Sequence, residues 1–118
     1  HTVAGSFLDD PLPQGCDLVT LVRILHDHSD LNVKKILKHA RQALGSGGVL
    51  LIAEPLAGTR GAESMGDAYF GFYLMAMGKG RPRTKAELEG LLIEAGFKQV
   101  TEFPSPIPLQ TRILSAEA

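Results

Sequence analysis

Two apolar runs separated by one amphipathic segment constrain this chain more than any other feature of its sequence. The first run, CDLVTLVRIL (Cys16 to Leu25), is rich in leucine and β-branched residues with little alternation, which suits a strand covered on both faces of a parallel sheet. The second, VLLIAEPL, has the same character. Between them, SDLNVKKILKHARQAL changes period. Leu31, Val33, Ile36, Leu37, Ala40 and Leu44 form an apolar stripe at helical spacing, Lys34, Lys35, Lys38 and Arg41 fall outside it, and Ser29 or Asp30 is placed to cap the start. A strand, a helix and a strand at this spacing predict a parallel, right-handed βαβ unit.

Gly45, Gly47 and Gly48 invite comparison with a phosphate-binding loop. Such a loop follows a strand and opens a helix, so that the helix N-terminus faces the anion. These glycines follow a helix and precede a strand, so they read as a helix C-cap and turn.

Farther along, SMGDAYFGFYLMAMG (Ser64 to Gly78) predicts a helix with two overlapping apolar stripes, Met65, Tyr69, Phe72 and Ala76 on one and Phe70, Leu74 and Met77 on the other. A helix apolar nearly all round is buried in the core or lines an apolar cavity. TKAELEGLLIEAGF is a second helix, opened by a capping box of Thr84 and Glu87 and closed by Gly96. The basic residues Lys79, Arg81 and Arg83 before it read as a solvated loop. The tail predicts a strand, a proline-broken turn and a last strand from about Leu109 to Ala116, paired as a hairpin. There are no internal repeats and no low-complexity linker. The fold class is therefore α/β, the second half of a Rossmann-like sheet whose parallel strands end in an antiparallel hairpin.

In such sheets ligands bind at the carboxyl ends of the strands. Two titratable groups of residues stand there: His26, Asp27 and His28 after the first strand, and Glu54 at the end of the second. Polar strand ends with no chemistry are the plain reading. A metal site from His26, His28 and Glu54 is another, since alternate residues of an extended chain share a face, but the further ligand such a site needs does not follow at sequence spacing. No metal is expected.

Charge and composition remove other classes. With 12 basic against 13 acidic side chains in 118 residues, the chain lacks the electrostatic footprint of a nucleic-acid binder. Its apolar stretches are too short to span a bilayer, and no signal-peptide pattern is present. Cys16, the single cysteine, reads as a small core hydrophobe. A soluble cytoplasmic protein is expected. The sequence begins at His1 already in strand-like text, which reads as a piece of a longer chain.

Taken together, DLVTLVRILHDHSD, ALGSGGVLLIAEPLAG and GRPRTKAELEGLLIEAGF resemble the catalytic domain of class I S-adenosylmethionine-dependent O-methyltransferases of the caffeate and bacterial small-molecule type. The likeness is strongest to the bacterial hydroxyneurosporene O-methyltransferases of carotenoid synthesis, where ILHDH replaces the LHDW of most relatives. It covers nearly all of residues 1–118, which it implies are the C-terminal portion of a catalytic domain. The donor's glycine-rich loop and the helical dimerisation domain lie outside it, so the fragment alone is expected to be inactive and its parent a homodimer.

By motif, the resemblance implies His26 as general base, Glu54 as the acid that brackets it, and Asp27 as a further catalytic candidate. Gly5, Ser6, Phe7 and Val22 fall on the side of the cofactor, S-adenosyl-L-methionine. Gly5 and Ser6 stand where relatives have a glycine and an aspartate near the adenine, and Phe7 is placed to pack on it. Pro82 matches the position of a second glutamate in plant relatives, so the bracket on the histidine has at most one arm.

The chemistry agrees. The methyl donor is already activated, so the protein must add proximity and a base for the hydroxyl proton, and histidine titrates in the right range. Met65, Tyr69, Phe72 and Tyr73 are the candidate acceptor contacts. A helix apolar on both stripes needs a second partner, either the dimerisation domain or the wall of a pocket for a long apolar alcohol. Together with ILHDH, this favours a hydroxylated carotenoid over a small polar phenol as the small-molecule partner.

Overall fold

The computed structural model describes residues 1–61, 70–76, 78–107 and 110–118. Strand β1 (Cys16–Val22) leads through a single 3-10 turn (Leu25–Asp27) into helix α1 (Asp30–Ala43) and strand β2 (Leu44–Glu54). Helices α2 (Phe70–Ala76) and α3 (Lys85–Glu94) and strands β3 (Lys98–Phe103) and β4 (Arg112–Glu117) follow. The four strands form one sheet in the order β1-β2-β4-β3. β1 and β2 are parallel, with Leu21 beside Ile52 and Val22 beside Ala53, and β4 is antiparallel to both β2 and β3. The predicted βαβ unit and terminal hairpin are present, and β4 is threaded between β2 and β3.

Local chemistry accounts for the boundaries. Ser29 Oγ accepts from the N–H of Asn32 and caps α1, which buries Val33, Ile36, Leu37, Ala40 and Ala43. Leu31, expected in that stripe, is 69% exposed, because it stands off the line of the other residues. The capping box of Thr84 and Glu87 opens α3. Gly96, at φ 91°, turns the chain so that the N–H of Phe97 reaches Leu92 O.

Several expectations change. β1 ends at Val22 rather than Leu25, because Arg23 adopts φ 54° and takes the chain out of the sheet. Leu18 and Val22 are each 55% exposed, on the face of β1 opposite the buried Leu21, so the strand is not covered on both faces. The glycines at 45 to 48 are not the cap of α1: Leu44, already extended, is the C-cap, and the glycines form the irregular start of β2 opposite the register shift in β1. The last strand begins at Arg112, whereas part of its predicted start, Leu109, lies outside the described residues.

The predicted helix from Ser64 to Gly78 is described only as α2. Met65, Tyr69 and Met77 lie outside the described residues. Within α2 Leu74 is buried, whereas Phe72, Tyr73, Met75 and Ala76 are exposed, so this side of the helix is not core. Among the described residues no helix is long and apolar enough to cross a membrane.

Candidate active site

Period-two alternation in β2 places Glu54 on the same face as Leu50 and Ile52, the face that turns into the core. Its carboxyl group is therefore delivered, 1% exposed, beneath the turn that follows β1. Glu54 Oε1 accepts from the N–H groups of Ile24 (2.8 Å) and Leu25 (2.6 Å). Oε2 lies 2.5 Å from His26 Nδ1. The first two contacts are donations to oxygen that satisfy backbone groups which the end of the strand and the 3-10 turn leave without a ladder partner.

His26 is 5% exposed, and its Nε2 is 3.3 Å from Asp27 Oδ1, so the imidazole stands between two carboxyl groups. The arrangement differs from the single-armed bracket expected from Pro82: the second arm comes from the adjacent residue. With Nδ1 engaged by Glu54, the ring presents Nε2 as its second nitrogen, the position from which a histidine takes a proton. On the inner side, the space between His26, Glu54, Leu56, Arg83 and Leu88 has no room for a water molecule. His28 faces a different neighbour, its ring meeting Phe7 edge to face at 5.5 Å and 77°. Among the described residues no three His, Cys, Asp or Glu side chains converge as metal ligands.

Of the residues expected on the cofactor side, Phe7 packs on His28 and Val22 ends β1. Val22 and Phe7 are 55% and 42% exposed. The carbonyl of Phe7 is 3.0 Å from His39 Nδ1, which ties the N-terminal segment to α1. Gly5 is exposed, and Ser6 is folded onto two acids: its N–H donates to Asp10 Oδ2 (2.7 Å) and its hydroxyl to Asp9 Oδ2 (3.0 Å). Carboxyl groups thus lie beside Gly5 and Ser6 although neither residue is acidic.

On the other side of the turn, a cleft of about 670 Å³ runs between α2 and the loop before α3, with Gly71, Leu74, Met75, Gly78, Gly80 and Pro82 in its wall. Phe72 and Tyr73, expected as acceptor contacts, are exposed on α2 outside that wall.

Arg83 overturns the reading of its segment as a solvated loop. Lys79 and Arg81 are exposed, but Arg83 is 2% exposed. It donates to Leu25 O, His28 O and Asp30 Oδ1, and its hydrogen bonds hold the Asp30 carboxyl below the usual aspartate range against the opposing effect of burial. Sequence reasoning missed Arg83 and Gly80 because their partners are more than fifty residues away in the chain. The one local signal is an arginine directly before the capping-box threonine.

The chain is similar to known O-methyltransferases. The O-methyltransferase domain family matches residues 1–98. Demethylspheroidene O-methyltransferase of Rhodobacter capsulatus is 44% identical over 113 residues, covering 96% of this chain and 29% of the relative. A 3-amino-4-hydroxybenzoate 4-O-methyltransferase of Streptomyces cremeus is 36% identical, covering 97% of this chain and 30% of the relative. Human N-acetylserotonin methyltransferase in complex with S-adenosylmethionine superposes with a TM-score of 0.83 at 26% identity, over 96% of this chain and 32% of that one. The chain thus spans about a third of the length of the proteins it matches.

Proposed function

This chain belongs to the O-methyltransferase domain family, and from that premise we propose that it is the C-terminal part of the catalytic domain of an S-adenosylmethionine-dependent O-methyltransferase acting on an apolar, hydroxylated acceptor. The observation that carries the proposal is the buried contact between His26 Nδ1 and Glu54 Oε2 at the carboxyl ends of adjacent parallel strands.

Within this reading, Glu54 holds the imidazole in the tautomer with hydrogen on Nδ1. Nε2 then takes the proton of the acceptor hydroxyl, and the two flanking carboxyl groups stabilise the imidazolium that forms. Asp27 Oδ1, 3.3 Å from Nε2, stands where it stabilises that nitrogen once it carries the acceptor's proton. The dry inner wall keeps water from competing for the Glu54 carboxyl group.

S-adenosylmethionine, when bound, supplies a methyl group on a positively charged sulfur. The described residues fit its adenine side, which Phe7 and Val22 would hold with apolar surface, with the acids beside Gly5 and Ser6 supplying hydrogen-bond acceptors. The exposed apolar face of α2, with Phe72 and Tyr73 and with Met65 and Tyr69 before it in sequence, serves the acceptor.

A hydroxycarotenoid is favoured as that acceptor. It needs extended apolar surface, and the identity to the demethylspheroidene enzyme exceeds that to the hydroxybenzoate enzyme. A homodimeric, cytoplasmic parent completes the proposal.

The test uses the full-length protein. His26→Ala lowers methyl transfer by roughly two to four orders of magnitude with donor affinity nearly unchanged. A native rate in the folded variant removes His26 as base. Parallel assays with 1-hydroxycarotenoids and catechol-like phenols decide the acceptor, and turnover of phenols alone rejects the carotenoid.

A further inference from the structure

One residue that belongs to neither strand of the candidate dyad reaches both of its strand ends. The main-chain oxygen of Arg83 accepts from the N–H of Ala57 at 2.9 Å, three residues beyond Glu54. Its side chain reaches the other way. Nη1 donates to Leu25 O at 2.8 Å and Nη2 to His28 O at 2.7 Å, the carbonyls on either side of His26 and Asp27. Nη2 and Nε both reach Asp30 Oδ1, at 2.7 and 2.9 Å. Glu54 takes N–H groups of the same turn, those of Ile24 and Leu25. The turn that carries the base is thus gripped by a carboxyl group on its amide hydrogens and by a guanidinium on its carbonyl oxygens.

We propose that Arg83 is the positioning residue for His26, fixing the imidazole relative to Glu54 and tying it to the loop that floors the cleft beside α2. The proposal rests on the reading of His26 as the base.

Placing a guanidinium at 2% exposure is costly unless its donors are paired, and among the described residues its bonds beyond its own loop go to the base-bearing turn and the first residue of α1. A lysine cannot reproduce this, since a single ammonium does not span two carbonyls and a carboxylate in one plane. The loop reinforces the grip through Gly80. A Cβ built there would collide with His26 O and lie 2.7 Å from the carbonyl carbon of Asp27, so the backbone of the loop is in direct contact with that of the base. Gly80, Arg81 and Pro82 also line the cleft, so an acceptor lodged there would press on the segment that sets the position of His26.

The test is a double-mutant cycle in the full-length protein, with Arg83→Lys and Asp30→Asn each combined with His26→Ala. The measurements are single-turnover rates at saturating donor, KM for donor and acceptor, and thermal melting. Asp30→Asn weakens the hold on the guanidinium while leaving Arg83 in place, and serves if Arg83→Lys does not fold. Arg83→Lys is expected to lower kcat about 10- to 100-fold, the effect of misplacing a catalytic group by about an ångström, with donor KM changed by less than about twofold. Asp30→Asn moves in the same direction by a smaller factor. In the His26→Ala background each substitution changes the residual rate by less than about twofold, because a positioning residue has nothing left to position. A general loss of stability would instead multiply the two effects. Full multiplication, or an undiminished kcat in folded Arg83→Lys, overturns the proposal. Failure of the underlying reading is seen separately, as a native rate in His26→Ala alone.

Discussion

Replacing Glu54 with glutamine changes one atom of the site and separates its structural from its chemical work. In Glu54→Gln the new side chain keeps an oxygen where Oε1 accepts from Ile24 and Leu25, but sets an NH2 group against His26 Nδ1, 2.5 Å from the carboxylate oxygen in the native protein. Two responses are open to the imidazole. If it keeps hydrogen on Nδ1, two donors face each other in a site with no room for water. The lost charge-assisted bond together with a buried unsatisfied donor then costs about 2 to 4 kcal/mol of stability. If it changes tautomer, Nδ1 accepts from the amide, the penalty falls to about 1 kcal/mol, and the hydrogen moves to Nε2, which no longer has a lone pair for the acceptor hydroxyl. On either course the barrier to proton transfer rises, and a loss of about 10²- to 10⁴-fold in kcat corresponds to about 2.7 to 5.4 kcal/mol. The assay joins single-turnover methyl transfer at saturating donor, denaturant unfolding, and nitrogen NMR of labelled histidine, which reports the tautomer directly. A folded Glu54→Gln protein with kcat within about threefold of native, and His26 in its original tautomer, refutes the idea that Glu54 orients the base.

Further expectations follow from the same contacts. Gly80→Ala is expected to destabilise the protein by about 1 to 3 kcal/mol in chemical denaturation, because the residue sits at φ 84° with His26 O in the path of a Cβ; unchanged stability would show that the loop yields freely. Acid should act through three depressed carboxyl groups: Asp30 held down by Arg83, Glu87 by the N–H of Thr84 and by Arg81, and Glu102 by Arg112. A depressed carboxyl contributes stability that is full above its unfolded value, near 3.8 for Asp30 and 4.5 for the glutamates, and is lost as pH falls through the lower folded value. Melting temperature should therefore decline from about pH 4.5 downward, less steeply in Asp30→Asn, and a flat profile to about pH 3 would contradict this.

Elements whose signals are local were legible in the sequence. The stripe from Val33 to Ala40, the serine cap at Ser29 and the Thr84 capping box each depend on residues within a turn or two of one another, and the structure places α1 and α3 accordingly. The positions of His26 and Glu54 were legible because parallel pairing of the two apolar runs brings their carboxyl ends side by side. Features that depend on distant partners were not. Arg83 looks like any loop arginine until Leu25, His28 and Asp30 are folded against it. Asp27 was a catalytic candidate by motif alone, and its approach to Nε2 follows from the 3-10 geometry of residues 25 to 27. The exposure of Leu18 and Val22 was hidden for a related reason: composition says that a strand is apolar, not which of its faces is covered.

The threading of β4 between β2 and β3 bears on how this part of the protein comes into being. β3 has no direct pairing with β2; Leu114 and Ala116 of β4 lie in the core between them, opposite Ile52 and Leu50. A ribosome delivers β2 well before β4, whereas β3 precedes β4 by one short connection, so β2 waits with an unpaired edge and the seam closes only when Arg112 to Glu117 arrive. Closure joins segments far apart in the chain, which makes it the slow, entropy-limited event of assembly. Until then the βαβ unit has α1 to cover its buried face, whereas β3 is held only by its connection to α3. Premature termination a few codons short of β4 would thus leave two exposed edges rather than a slightly shortened sheet, and quality control would meet an aggregation-prone species instead of a trimmed enzyme.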